Sequence, residues 1–265
     1  MYNSFQLAIK YFRYYFTALN GRGHGMHSPF IFSLITKVLN DQQQYPAYKL
    51  VEQLRKQLLQ NETEINVEDF GAGSSIDKTN KRRVSSIAKN AAKSKKYGQL
   101  LYRMVQYYKP QTILELGTSL GITSSYLAMA NDSTQVTTME GSPEILSIAK
   151  NNFSELQLKN IITIEGDFDE TLNDTLQNHR TIDFAFLDGN HREEPTIRYF
   201  NLIADKINNN SIVVVDDIHW SAGMEAAWQA IKNHASVKCS VDLFFIGIIF
   251  FREEFHEKQH FTIRF

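Results

Sequence analysis

Three acids and two histidines stand at the ends of two apolar runs. Asp188 closes "IDFAFLD", and Asp216 and Asp217 close "SIVVVDD". His191 follows Asp188 by three residues, and His219 follows Asp217 by two. If the two runs are neighbouring strands of one sheet, the three carboxylates converge, and an all-oxygen set of this kind suits Mg²⁺. Asp188, Asp216 and Asp217 are therefore the candidate metal ligands. A bound cation lowers the pKa of a coordinated hydroxyl and orients it. His191 is the candidate base, because an imidazole titrates near neutrality. His219 is the alternative base or a further ligand. A plainer alternative stands beside this one: the acids cap the turns that follow, and the histidines are ordinary surface residues. Trp220 could wall a pocket, whereas Trp228 sits at apolar spacing on the next helix and reads as core.

Residues of this kind need a frame to hold them. From about residue 98 the chain alternates short β-rich runs with longer amphipathic ones. "TILEL", "QVTTME", "IITIEG", "IDFAFLD" and "SIVVVDD" read as strands, and each is followed by a helical segment. Five strands alternating with helices imply a parallel sheet covered on both faces. "KCSVDLF" and "IGIIFF" are too close for a crossover helix, so they form an antiparallel hairpin. "HFTIRF" is either an edge strand or a segment packed across the surface. The expected architecture is α/β and doubly wound over residues 98–265, with a helical extension over 1–66. In that extension Phe5, Ile9, Phe12 and Phe16 fall at helical spacing, and Ser28 is placed to cap a helix opening at Pro29. Between them, 67–97 combines the turn "GAGSS" with a stretch holding eight lysines and arginines and one acid, Asp77. That stretch reads as a helix with a basic face or as a lid.

Two stretches, "VEDFGAGSS" and "TILELGTSLG", look like a strand running into a glycine turn. A doubly wound sheet that holds a nucleotide needs such a turn after one strand and, about twenty residues on, an acid for the ribose hydroxyls. "ELGTSLG" meets both demands, with Gly117 and Gly121 in the turn and Glu140 ending the next strand. "EDFGAGSS" has no such acid downstream, so Gly71 and Gly73 belong to a structural turn or a flap. Glu115 precedes the first glycine. A carboxylate there is a poor neighbour for a pyrophosphate and a good one for an ammonium or sulfonium group. That favours S-adenosylmethionine over a nicotinamide dinucleotide.

With these residues in place, the sequence over roughly 95–252 resembles the class I S-adenosylmethionine-dependent methyltransferases. It is most similar to the metal-dependent O-methyltransferases of the catechol and caffeoyl-CoA type and of the macrolide-sugar type. "ILELGTSLGITSSYLA" resembles their first motif, with Glu115, Gly117, Thr118, Ser119 and Gly121. "TTMEGSPE" resembles the second, with Glu140 and Gly141, and "IEGDFDETL" the adenine-side segment, with Gly166 and Asp167. "FLDGNHREE" and "VVVDDIHWS" resemble the two metal-bearing strand ends, and Asp188 borders the cofactor as well. The resemblance implies a mostly parallel seven-stranded sheet of order 3-2-1-4-5-7-6. The catechol type carries Asp-Asn at the second strand end and a lysine at the position of His191. The Asp-Asp found here matches the macrolide-sugar type instead.

Bulk properties set the remaining bounds. The 265 residues are 43% hydrophobic with a net charge of −1, so nothing draws the whole molecule to nucleic acid or to an acidic membrane. A single cysteine, Cys239, excludes an intramolecular disulfide and any multi-cysteine metal site. With no signal-peptide pattern, and a longest apolar run ("LFFIGIIFF") about half of a membrane span, the expectation is a soluble cytoplasmic enzyme. Its expected partner is a small-molecule acceptor. Three alternatives remain open: an RNA acceptor held by the basic stretch 78–96, a non-catalytic scaffold whose aromatic helix 5–19 docks a partner or membrane, and an NAD-dependent enzyme; the same helix could also form a homodimer surface.

Overall fold

The computed structural model describes residues 1–67 and 81–265. The "GAGSS" turn, with Gly71 and Gly73, lies outside them. Along the chain run α1 (Ser4–Thr17), α2 (Pro29–Leu34) with a π-helical turn (Ile35–Leu39), α3 (Pro46–Leu59), β1 (Glu64–Asn66), β2 (Lys81–Arg83), α4 (Val84–Asn90) and α5 (Lys95–Tyr108). There follow β3 (Thr112–Leu116), α6 (Ile122–Ala130), β4 (Gln135–Glu140), α7 (Pro143–Glu155), β5 (Ile161–Glu165), α8 (Phe168–Gln177), β6 (Phe184–Leu187) and α9 (Glu193–Ala204). The chain closes with β7 (Ile212–Asp216), α10 (Ala222–Asn233), β8 (Cys239–Asp242), β9 (Ile246–Phe250) and β10 (Gln259–Thr262). It divides into two compact units, Gln42–Thr175 and Met1–Asp41 with Leu176–Phe265. Residues 1–66 are thus shared between the units rather than forming a body of their own.

In the unit 42–175, β3, β4 and β5 are parallel and lie in the order β5-β4-β3, with Leu114 opposite Thr137 and Thr138 opposite Thr163. Helix α6 is buried on nearly every side, which its apolar, unpatterned sequence requires. It packs against α5 and α3, and the Tyr126 hydroxyl on α6 donates to Glu52 on α3 at 2.8 Å. The basic stretch is not one helix: 81–97 holds a strand, a short helix and the start of α5. Its Arg83 pairs with Glu62 at 3.0 Å and with Glu64 at 3.7 Å.

In the other unit the order is β6-β7-β9-β8-β10. β6 and β7 are parallel and buried along their whole length, which accounts for the uninterrupted apolar runs "FAFL" and "IVVV". β9 is antiparallel to both β7 and β8, the expected hairpin. The order 3-2-1 expected of the first three sheet strands is found in one unit, and 4-5-7-6 for the next four in the other. β10 adds a strand beyond the expected seven, parallel to β8 with His260 opposite Ser240. Ser28 caps α2 as its sequence predicts, and Trp228 is core at 1% exposure.

Helix α1 opens with a capping box between Asn3 and Gln6. Its inward face is Leu7, Tyr11, Tyr14 and Ala18, packed on Phe244 and Phe245. The Tyr14 hydroxyl donates to the Ile263 carbonyl and accepts from the Phe265 amide. Phe5, Ile9, Phe12 and Phe16, the stripe that marks the helix in the sequence, point the other way, to solvent. Helical spacing of apolar residues revealed the helix but not which of its faces the core takes.

Candidate active site

The glycine turn leaves the carboxyl end of β3. Gly117 and Gly121 both have positive φ, 101° and 79°, which only glycine adopts without strain. A Cβ on Gly121 would also stand 2.5 Å from the Phe153 ring, so this glycine lets α6 approach α7. Glu140, at the end of β4, reaches back to the turn. Its Oε2 accepts from the Ser119 amide at 2.9 Å and its Oε1 from the Ser142 amide at 3.0 Å. The turn and the acid that the sequence separates by about twenty residues are thus tied together by backbone donors.

Glu115 departs from its expected place. It is fully buried, and its Oε2 accepts from Ser124 and, at 2.6 Å, from Thr138. Thr138 in turn accepts from Thr118, also buried, at 2.6 Å. Burial pushes the Glu115 carboxyl up to about 7; the two hydroxyl donors oppose that shift and the charge of Glu140 adds to it. Glu115 and Thr118 therefore brace the turn from inside the fold, with no surface for a ligand. At the end of β5, Gly166 has φ 131°, and Asp167 caps α8 through its Oδ1 to the Asp169 amide at 2.9 Å.

In the other unit, the carboxyl ends of β6 and β7 carry a second constellation. Ligand atoms of Asp188, His191 and Asp216 all lie within 4.8 Å of one another. His191 Nε2 is 3.6 Å from Asp188 Oδ1, too far for a hydrogen bond, and its ring meets the Trp220 ring edge-on at 5.5 Å. Asp217 is not part of this group. Its backbone turns left-handed, with φ 51°, its amide donates to the Phe245 carbonyl at 2.7 Å, and its carbonyl accepts from the Trp220 amide. The chain thus reverses direction just beyond Asp216, and the expected all-carboxylate trio becomes two carboxylates and an imidazole.

His219 also departs from expectation. Its Nδ1 lies 2.9 Å from Glu225 Oε1 and its Nε2 2.8 Å from Asp242 Oδ2, while the ring stacks on Phe244 at 5.1 Å. Burial alone would lower its pKa; the bonds and charges of Asp242 and Glu225 outweigh burial, so the pKa is raised. An imidazole donating from both nitrogens has no lone pair for a base or a ligand. His219 is instead the centre of a clamp. Glu225 also takes Lys10 at 2.9 Å and the Tyr2 hydroxyl at 2.8 Å, and the Tyr2 amide donates to the Trp220 carbonyl at 3.0 Å. The N-terminal helix is thereby fastened to the loop that presents Trp220 to His191. Sequence gives no sign of this clamp, because Lys10 and Asp242 lie far from His219 along the chain and Glu225, six residues on, stands in the first turn of the next helix like an ordinary surface acid. Ser142 was legible only as the residue before Pro143, and Thr138 and Ser124 as small polar residues in apolar elements.

Comparison with known proteins completes the description. Residues 114–218 match a family described as a methyltransferase domain. No curated protein matches the chain in sequence. Among solved structures, the Podospora anserina methyltransferase PaMTH1, bound to S-adenosylhomocysteine, is similar with a TM-score of 0.59 at 14% identity, over 85% of this chain and 97% of that one. An O-methyltransferase from Bacillus cereus, in complex with S-adenosylhomocysteine, gives 0.56 at 16% identity, over 79% and 92%. The Streptomyces achromogenes O-methyltransferase TomG, involved in tomaymycin synthesis and solved with S-adenosylmethionine, gives 0.53 at 19%, over 62% and 82%. Residues 114–218 thus match a methyltransferase-domain family, and the chain shares the fold of these solved O-methyltransferases.

Proposed function

We propose that this protein is an S-adenosylmethionine-dependent O-methyltransferase that acts on a small hydroxylated molecule with the help of a divalent cation. The observation that carries the reading is the bond between Glu140 and the Ser119 amide, which sets a carboxylate beside the glycine turn. Both oxygens of Glu140 are anchored by backbone amides at the carboxyl end of β4, where a carboxylate suits the ribose hydroxyls of a nucleotide. Gly117, Ser119, Gly121 and Gly141 supply backbone at the turn, and Gly166 and Asp167 the adenine side. The cofactor supplies, when bound, a methyl group made electrophilic by the sulfonium.

Asp188 and Asp216 fit a Mg²⁺ ion, which is usually held by one or two carboxylates, with water and substrate oxygens completing the shell. Held by these residues, a cation would lower the pKa of a coordinated hydroxyl. His191 Nε2 takes the proton of the acceptor hydroxyl, and Trp220 sets the orientation of its ring. RNA is the weaker acceptor, since Arg83 in the basic stretch is already met by Glu62 and Glu64.

The test is S-adenosylhomocysteine formation from a panel of catechols, hydroxylated sugars and hydroxylated polyketides, with Mg²⁺ and with EDTA. The expected result is turnover on at least one acceptor that EDTA abolishes and Mg²⁺ restores. Equal turnover in EDTA overturns the cation's role. Methylation of a transfer RNA with none of the small molecules turned over overturns the acceptor class.

A further inference from the structure

The outward face of α1 has no task in the proposed chemistry. Phe5 is 74% exposed, Ile9 53%, Phe12 61% and Phe16 76%. At about 100° per residue these four fall within an arc of about 60°, along about 17 Å of helix. Single exposed apolar residues are ordinary, but a continuous aromatic stripe of this size is not. Nor can the helix roll to hide it. Tyr11 and Tyr14 are packed on Phe244, Lys10 is held by Glu225, and Leu19 is bridged to Ile263 at the C-terminal end of the helix.

Charge indicates what covers the stripe. The first acid in the chain is Asp41; before it stand Lys10, Arg13, Arg22 and Lys37, although the whole chain carries −1. Arg13 flanks the stripe on one side. On the other, Arg264 lies over the ring of Tyr15 at 4.3 Å. A second copy of α1 would bring the same arginines to the rim and no acid to meet them, an arrangement that opposes self-pairing. A row of phenylalanines edged by guanidinium groups instead matches a helix lying in the plane of an anionic lipid surface.

We propose that the outward face of α1 docks the protein on an anionic bilayer surface. Phe5, Ile9, Phe12 and Phe16 enter the boundary between headgroups and acyl chains, and Arg13 and Arg264 meet the lipid phosphates. None of the described helices is long and apolar enough to cross a membrane, so the attachment is peripheral.

The test is co-sedimentation of the full chain with phosphatidylcholine vesicles, with and without about 30% phosphatidylglycerol, alongside sedimentation velocity without lipid. The expected result is at least about tenfold tighter partition onto the anionic vesicles, weakened by raising salt to about 0.5 M. The double variant F12S/F16S, altered only at exposed positions, should lose at least about tenfold of that partition, and Arg13→Glu several-fold. Failure of the wild-type chain to partition onto anionic vesicles overturns the proposal, and so does equal partition onto neutral ones. A dimer that F12S/F16S dissociates, with no vesicle binding, assigns the stripe to a second copy.

Discussion

The glycine turn of one unit and the carboxylate–histidine cluster of the other are built on opposite principles. At the turn, both oxygens of Glu140 are fixed by backbone amides, and Glu115, Thr138 and Thr118 brace it from within. At the cluster, Asp188 and His191 both follow β6 and stand 3.6 Å apart, too far for a hydrogen bond between them, with Asp216 at the end of β7 beside them. A site defined by backbone is formed before its ligand arrives. A site defined by side chains closes around its ligand. The contrast predicts a donor site that works without the cation and a cluster whose effect is confined to turnover.

The largest expected effect is at His191. His191→Ala should lower turnover by roughly 10²–10⁴, the range for a lost general base. Affinity for S-adenosylhomocysteine should stay unchanged. A parallel loss of that affinity would break the division between the two regions, and loss of cation binding would make His191 a ligand instead of a base.

The next effect concerns the brace under the turn. Glu115 has a folded pKa of about 7 against a reference of 4.5, so the folded state holds a proton that the unfolded state has released. Its contribution to stability is complete below pH 4.5 and is lost as pH rises through 7, by about 3 kcal/mol in all. Denaturant midpoints for Glu115→Gln should therefore be flat across that window where the wild type declines. An unchanged slope would place the titration elsewhere.

A smaller effect separates the two histidines. His219→Ala should cost about 1–3 kcal/mol, because Glu225 and Asp242 lose a shared donor. The raised pKa of His219 means its contribution is complete below the ordinary histidine range and fades as pH climbs past the raised value. Cation affinity should not change. If His219→Ala weakens Mn²⁺ binding in an electron paramagnetic resonance titration, the clamp belongs to the cation site.

Sequence made some of this legible and hid the rest for identifiable reasons. Strand ends are marked by a change from apolar to acidic residues, so Glu140, Asp188 and Asp216 could be placed at the carboxyl edges from the pattern alone. What happens one residue beyond a strand end depends on backbone direction, and there the pattern fails. Asp217 reads as the twin of Asp216, but a left-handed turn takes it out of the group. Glu115 occupies an acidic position in a familiar motif, yet its strand points it inward, where Ser124 and Thr138 wait. His219 reads as a spare base because its partners, Glu225 and Asp242, come from α10 and β8. Helical periodicity found α1, but the face that packs carries Tyr11 and Tyr14, whose rings meet Phe244 while the Tyr14 hydroxyl donates to the Ile263 carbonyl.

The central claim is that the turn after β3, completed by Glu140, holds S-adenosylmethionine. Calorimetric titration of S-adenosylhomocysteine into the wild-type protein in EDTA, and into Glu140→Ala, tests it most directly. The account predicts one site per chain without any cation, weakened by about 1.5–3 kcal/mol in the variant through loss of charge-assisted hydrogen bonds. No binding to the wild type, or equal affinity in the two proteins, would contradict it.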